Sequence, residues 1–78
     1  MFPPNGPTSL FTNRAQANAL EALEVWRSAA QLVWTRWQTF LEAEPESRSW
    51  AFAAYVSALD AESAAAADLA TSRLAQAA

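Results

Sequence analysis

Carboxylates are the side chains best suited to chemistry in this 78-residue chain. Glu21 and Glu24 stand three positions apart, and Asp60, Glu62 and Asp68 follow in the second half. Facing helices that gather carboxylates can hold two metal ions, but the proteins built this way also carry Glu-x-x-His steps. The chain has no histidine and no cysteine, which removes that ligand set together with zinc sites and His-based triads. We therefore expect no enzyme activity, no metal and no cofactor, and we expect these acids to be solvated.

The four tryptophans are the other residues that could bind a ligand, because indole rings can stack on bases or on a flat cofactor. All five basic residues are arginines, and with eight acidic residues the net charge is −3. A phosphate backbone would meet a mildly repulsive surface, so we expect nucleic acid not to be a partner. Tryptophan beside arginine, as in Trp34-Thr35-Arg36-Trp37, is instead typical of protein interfaces.

Proline and glycine divide the chain into segments. Three of the four prolines and the only glycine lie in residues 1–8, which are predicted to form an extended arm. The segments predicted to be helical are 9–43 and 47–76, separated by a break at Pro45. The predicted fold is all-α, an antiparallel two-helix hairpin with residues 9–78 as a single domain. One long helix kinked at Pro45, or a dimer that swaps its second helices, would use the same contacts.

Apolar spacing predicts how the two helices pack. Steps of four and three residues, which define a heptad seam, occur in both helices. The helix-one series is Ala19, Leu23, Trp26, Ala30, Val33, Trp37 and Phe40. The helix-two series is Phe52, Val56, Leu59, Ser63, Ala66 and Ala70. Folding about Pro45 places residues whose numbers sum to roughly 90 at one level, where large side chains mostly meet small ones. These series are the predicted intrachain seam.

Large side chains remain outside that seam. Around Leu32-Val33-Trp34 the first helix is apolar almost all round, which is typical of a helix covered on more than one side. A two-helix hairpin covers one side only, so a second surface is expected. The residues predicted for this interface are Leu32, Trp34, Arg36, Leu41, Trp50 and Tyr55.

The favoured function is a non-enzymatic assembly module, which self-associates as a homo-oligomer or docks as a small accessory subunit on a larger protein complex. Two alternatives are an amphipathic protein that coats a lipid or polymer inclusion and a regulator that binds one target in a groove. The acidic balance and the lack of lysine disfavour an anionic membrane surface.

The expected location is the cytoplasm. The first seven residues show neither a basic nor an apolar secretory-type stretch. The longest apolar run, Trp50 to Val56, has seven residues, whereas a membrane span needs about 20.

Overall fold

A computed structural model describes residues 6–77 of the chain, and the side chains of residues 14–77. Helix α1 runs from Gly6 to Glu42, a 3-10 turn covers Pro45–Ser47, and helix α2 runs from Arg48 to Ala77. Residues 1–5 of the predicted arm lie outside this range. For residues 6–8 the prediction of an extended arm is wrong, because α1 already begins at Gly6. Pro7 fits the first turn, where its missing N–H would have no helical partner and its restricted φ matches the helix.

The break at Pro45 reverses the chain within a few residues. Glu44 is extended, with φ −66° and ψ 155°, which is the backbone geometry that a following proline requires. The N–H of Ala43 donates to the Phe40 carbonyl at 3.2 Å and closes α1. The N–H of Ser47 donates to the Glu44 carbonyl at 2.9 Å and starts the turn that leads into α2.

The two helices pack against each other as an antiparallel hairpin, so the predicted all-α hairpin is confirmed. A single kinked helix is excluded, since α1 and α2 contact each other along their lengths. The hairpin is long and thin, with extents of 67 × 20 × 12 Å. Its Cα radius of gyration is 18.6 Å, against about 11.5 Å for a compact domain of this length.

A line of alanines on α2 forms the centre of the hairpin. Ala51, Ala58 and Ala65 are the buried hydrophobic residues of the described chain, spaced by seven, and Ser72 continues the line half-buried. Small side chains let two helices approach closely, so the larger side chains of α1 fill the space above them. The half-buried α1 residues of the seam are Ala19, Leu23, Trp26, Ala30, Val33, Trp37 and Phe40.

The predicted α2 seam is one residue out of register. Phe52 and Val56 are 49% and 38% exposed, whereas the buried line starts one residue earlier, at Ala51. One residue turns a helix by about 100°, so this shift moves the predicted series to one side of the contact line, where the Phe52 ring still reaches Phe40. Of that series only Leu59 is half-buried. Both α2 series have the same spacing, and the one with the smaller side chains at the closest approach is the one that packs.

Aromatic rings close the end of the hairpin next to the turn. The ring centroids of Trp37 and Tyr55 are 5.0 Å apart, and those of Phe40 and Phe52 are 5.5 Å apart. Tyr55 therefore lies half-buried between the helices, although the sequence places it in the outer interface. The residue numbers in both pairs sum to 92, close to the value expected for a hairpin folded about Pro45.

Candidate interaction surface

Residues that come one position after the contact line form an apolar stripe on each helix. On α1 they include Leu20, Arg27, Trp34 and Leu41, spaced by seven, with the polar residues Glu24, Gln31 and Gln38 between them. On α2 they are the residues of the predicted seam: Phe52, Val56, Leu59, Ser63, Ala66 and Ala70. We call the four α1 residues spaced by seven and these six α2 residues together the Trp34 face.

The two stripes lie on the same face of the hairpin. In an antiparallel pair of right-handed helices, residues displaced in the same rotational sense from the contact line lie on one face of the pair. Trp37 comes four positions after Val33, and Tyr55 comes four positions after Ala51, so both are turned slightly toward this face. Their rings are in contact, as expected for side chains on the same face.

On the opposite flank, residues displaced the other way line a shared groove. Asn18 and Val25 of α1 line it together with Asp68 of α2 and with Ser72, which lies on the contact line itself. Both flanks therefore follow the same geometry, which places the α1 and α2 stripes of the Trp34 face side by side.

The Trp34 face is apolar, with little charge. Leu20, Trp34, Leu41, Phe52 and Val56 are large and exposed, with Trp34 at 63%. The larger of the α2 side chains lie in the half nearest the turn, and the small ones lie in the distal half. The charged residues on or beside this face are Arg27, Arg73 and, at its outer edge, Glu24. Monomeric proteins rarely expose a contiguous apolar surface of this kind unless it binds something.

The opposite face, which we call the Trp50 face, mixes apolar and acidic side chains. Trp50 is 81% exposed in a shallow groove that Glu42 and Glu44 also line. Exposed Val25 lines a second groove with Glu21 and Asp68. Apolar residues interrupted by acids in this way are typical of a solvated surface.

The six residues predicted as one interface do not come together. Trp34 and Leu41 lie on the Trp34 face. Leu32, Arg36 and Trp50 come one position before the contact line and lie on the Trp50 face, and Tyr55 lies between the helices. The four of these residues that belong to α1 lie on both sides of its contact line, so a single partner surface does not cover all six.

Sequence reasoning places Phe52 and Val56 in the intrachain seam, whereas the structure leaves both largely exposed beside it, with the Phe52 ring still in contact with Phe40. The alanines at positions 51, 58 and 65 are the sequence signal for the side of α2 that packs on α1. Spacing alone does not favour this alanine series over the neighbouring one. Two neighbouring heptad series on one helix indicate contact with two partners.

One carboxylate departs from the expectation that all are solvated. Glu62 is half-buried between the helices, where its Oε2 accepts a hydrogen bond from the Trp26 indole N–H at 3.2 Å. A partly buried indole usually finds such an acceptor, and Glu62 stands at the right level on α2 to provide it. Within the part of the chain that the structure describes, no three acidic residues are grouped closely enough to hold a metal ion.

Neither helix, over the residues described, has a stretch long and apolar enough to cross a membrane. Comparisons with protein-family models, with curated proteins and with solved structures gave no match.

Proposed function

We propose that this chain is a non-enzymatic helical assembly module, a small structural or accessory subunit that associates with protein through the Trp34 face. One observation carries this proposal. The buried hydrophobic core of the described chain consists of three alanines, while five large apolar side chains stand exposed on one face.

The surface area supports the same conclusion. The accessible surface of the chain is 5901 Å², whereas a compact protein of this mass exposes about 4,700 Å². The excess, on the order of 1,200 Å², exceeds the roughly 800 Å² that one partner buries in a standard interface. A module with so small a core gains most of its hydrophobic stabilisation only when that surface is covered.

A second candidate is an amphipathic coat on a lipid or polymer inclusion. The 67 Å length of the hairpin and its apolar side support it, because such helices lie flat with one face in the apolar phase. The acidic net charge and the absence of lysine weaken it for anionic lipid. Helicity or light scattering that changes only when neutral liposomes are added would favour the coat over the protein module.

Two tryptophan variants test the module directly. Trp34→Glu changes the Trp34 face, and Trp50→Glu is its matched control on the Trp50 face. We expect the chain, expressed in its own cells, to sediment above the monomer mass in extract. We expect Trp34→Glu, and not Trp50→Glu, to return it to the monomer. A chain that sediments as a monomer in extract, or two variants that behave alike, would refute the proposal. The proposal also takes the chain to be cytoplasmic, which fractionation of the same cells would check.

A further inference from the structure

We propose that the partner of the Trp34 face is a second copy of this chain, stacked with its turn at the opposite end. In this arrangement a two-fold axis lies in the plane of the contact and crosses the helices. Each α1 then packs antiparallel to the other α1, and each α2 to the other α2, so that two hairpins form a four-helix bundle. The arrangement rests on the proposed function and specifies the partner that the function requires.

The α1 stripe is complementary to itself under this axis. Its members are spaced by seven, so their midpoint falls between residues 30 and 31. An antiparallel second copy therefore sets Trp34 opposite Arg27 and Leu41 opposite Leu20. Each Arg27 meets an indole face instead of another arginine, which is a favourable cation–π pairing.

The α2 stripe is complementary to itself by size. Its three bulkier residues precede residue 61 and its three smaller ones follow at mirrored distances. The pairs across the axis are Phe52 with Ala70, Val56 with Ala66, and Leu59 with Ser63. Large against small at every pair is the condition for close interdigitation of helices.

The two midpoints lie at the same level of the hairpin, although nothing in either stripe requires it. Contacting residues of α1 and α2 have numbers that sum to 88 for Trp26 and Glu62 and to 92 for the aromatic pairs. A midpoint between 30 and 31 on α1 thus faces residue 61 on α2. One straight axis can therefore serve both stripes, as a two-fold interface demands.

The other two-fold stacking, with both turns at one end, lacks this complementarity. It would set Trp34 against Val56 and Leu59, and Leu41 near Phe52, which puts large side chains on large ones beside the turns. At the far ends Ala66 and Ala70 would leave the contact thin.

Engineered cysteines distinguish these arrangements, because the chain has no cysteine of its own. Leu20→Cys and Leu41→Cys chains, made with different tags and mixed before oxidation, should give a mixed disulfide. A mixture of Val25→Cys and Leu32→Cys chains, which carry their thiols on the Trp50 face, is the control and should not. Glu46→Cys in the turn should stay unlinked, whereas a Glu46→Cys disulfide would place the turns together and overturn the arrangement.

A reciprocal swap adds a test that does not depend on disulfide formation. Trp34→Arg alone sets arginine against arginine and should weaken the dimer by at least about thirtyfold. Arg27→Trp combined with Trp34→Arg restores each arginine–tryptophan pair across the axis and should recover most of that loss. Circular dichroism would verify that both variants keep their helix content. No recovery in the double variant would overturn the pairing.

The outcomes separate this inference from the proposed function. If the purified chain stays a monomer by light scattering at all concentrations but sediments above the monomer mass in extract, the second copy is wrong and the module stands. If it is a monomer in both, both proposals fall. If the purified chain is a dimer that links through Glu46→Cys, only the geometry is wrong.

Discussion

The hydrogen bond between Trp26 and Glu62 is the clearest case of a single side chain whose role depends on its surroundings. As one of five carboxylates considered for chemistry, Glu62 had nothing in the sequence to separate it from Asp60 or Asp68. In the hairpin its Oε2 lies 3.2 Å from the Trp26 Nε1. It satisfies an indole N–H that would otherwise lose its contact with water when the helices close.

Replacing this acceptor should destabilise the hairpin. We expect Glu62→Ala to lower the free energy of unfolding by about 1 kcal/mol, because a partly buried N–H loses its partner. Glu62→Gln keeps an acceptor oxygen and should change the free energy of unfolding by less than about half that amount. Urea denaturation of the two variants beside the parent chain measures both values. Equal losses for Ala and Gln would mean that the charge, and not the hydrogen bond, stabilises the hairpin.

Helix α2 carries two heptad series, and the choice between them sets the architecture. Its alanine series packs on α1, and its Phe52–Ala70 series is left on the Trp34 face. Close approach gives more atom contacts per turn, and alanine at the contact line permits it at little cost in side-chain entropy. The apolar series with larger side chains is then free to serve a second interface.

This choice makes a definite prediction for Ala58, which is 4% exposed at the middle of the line. We expect Ala58→Leu to destabilise the hairpin by about 1–3 kcal/mol, because the extra carbons force the helices apart. Ala64→Leu, on the exposed side of the same helix, is the control, since leucine and alanine have similar helix propensities. Thermal unfolding that does not distinguish the two variants would show that α2 packs through another line.

Much of the architecture could be predicted from the chain alone. The two helices, their antiparallel order and the level at which they pair follow from Pro45 and from apolar spacing. The α1 side of the contact also follows, since the series through Trp26, Val33 and Phe40 is apolar throughout, whereas the series one residue later is interrupted by Arg27. The surface assignments could not be predicted from spacing, because a one-residue shift on α2 preserves every spacing and turns a different side of the helix toward α1.

The complete hairpin is an elongated object with little interior, and this shape governs how its stability should behave. Its large side chains are at most half-buried, and its extents are 67 × 20 × 12 Å. If a second copy covers the Trp34 face, association stabilises the folded hairpin and folding is coupled to it. The stability of the chain is then a property of its concentration as well as of its sequence.

We therefore expect the melting temperature of the parent chain to rise with concentration. For a folded dimer of two 78-residue chains, a tenfold increase should raise the melting temperature by about 5 °C, given the usual unfolding enthalpy per residue. Trp34→Arg should melt at a lower temperature that does not change with concentration. Differential scanning calorimetry across a dilution series measures both, and a concentration-independent melting point in the parent chain would contradict the coupling.

Local signals in the chain were enough to specify two helices, their break and their pairing, since proline geometry and helical periodicity act over a few residues and need no partner. The rotation of α2 about its own axis, and with it the identity of the Trp34 face, emerged only when the helices packed. Two series that lie one residue apart have the same heptad repeat, so the repeat does not decide which of them faces α1. The closer helix approach that Ala51, Ala58 and Ala65 allow decides it.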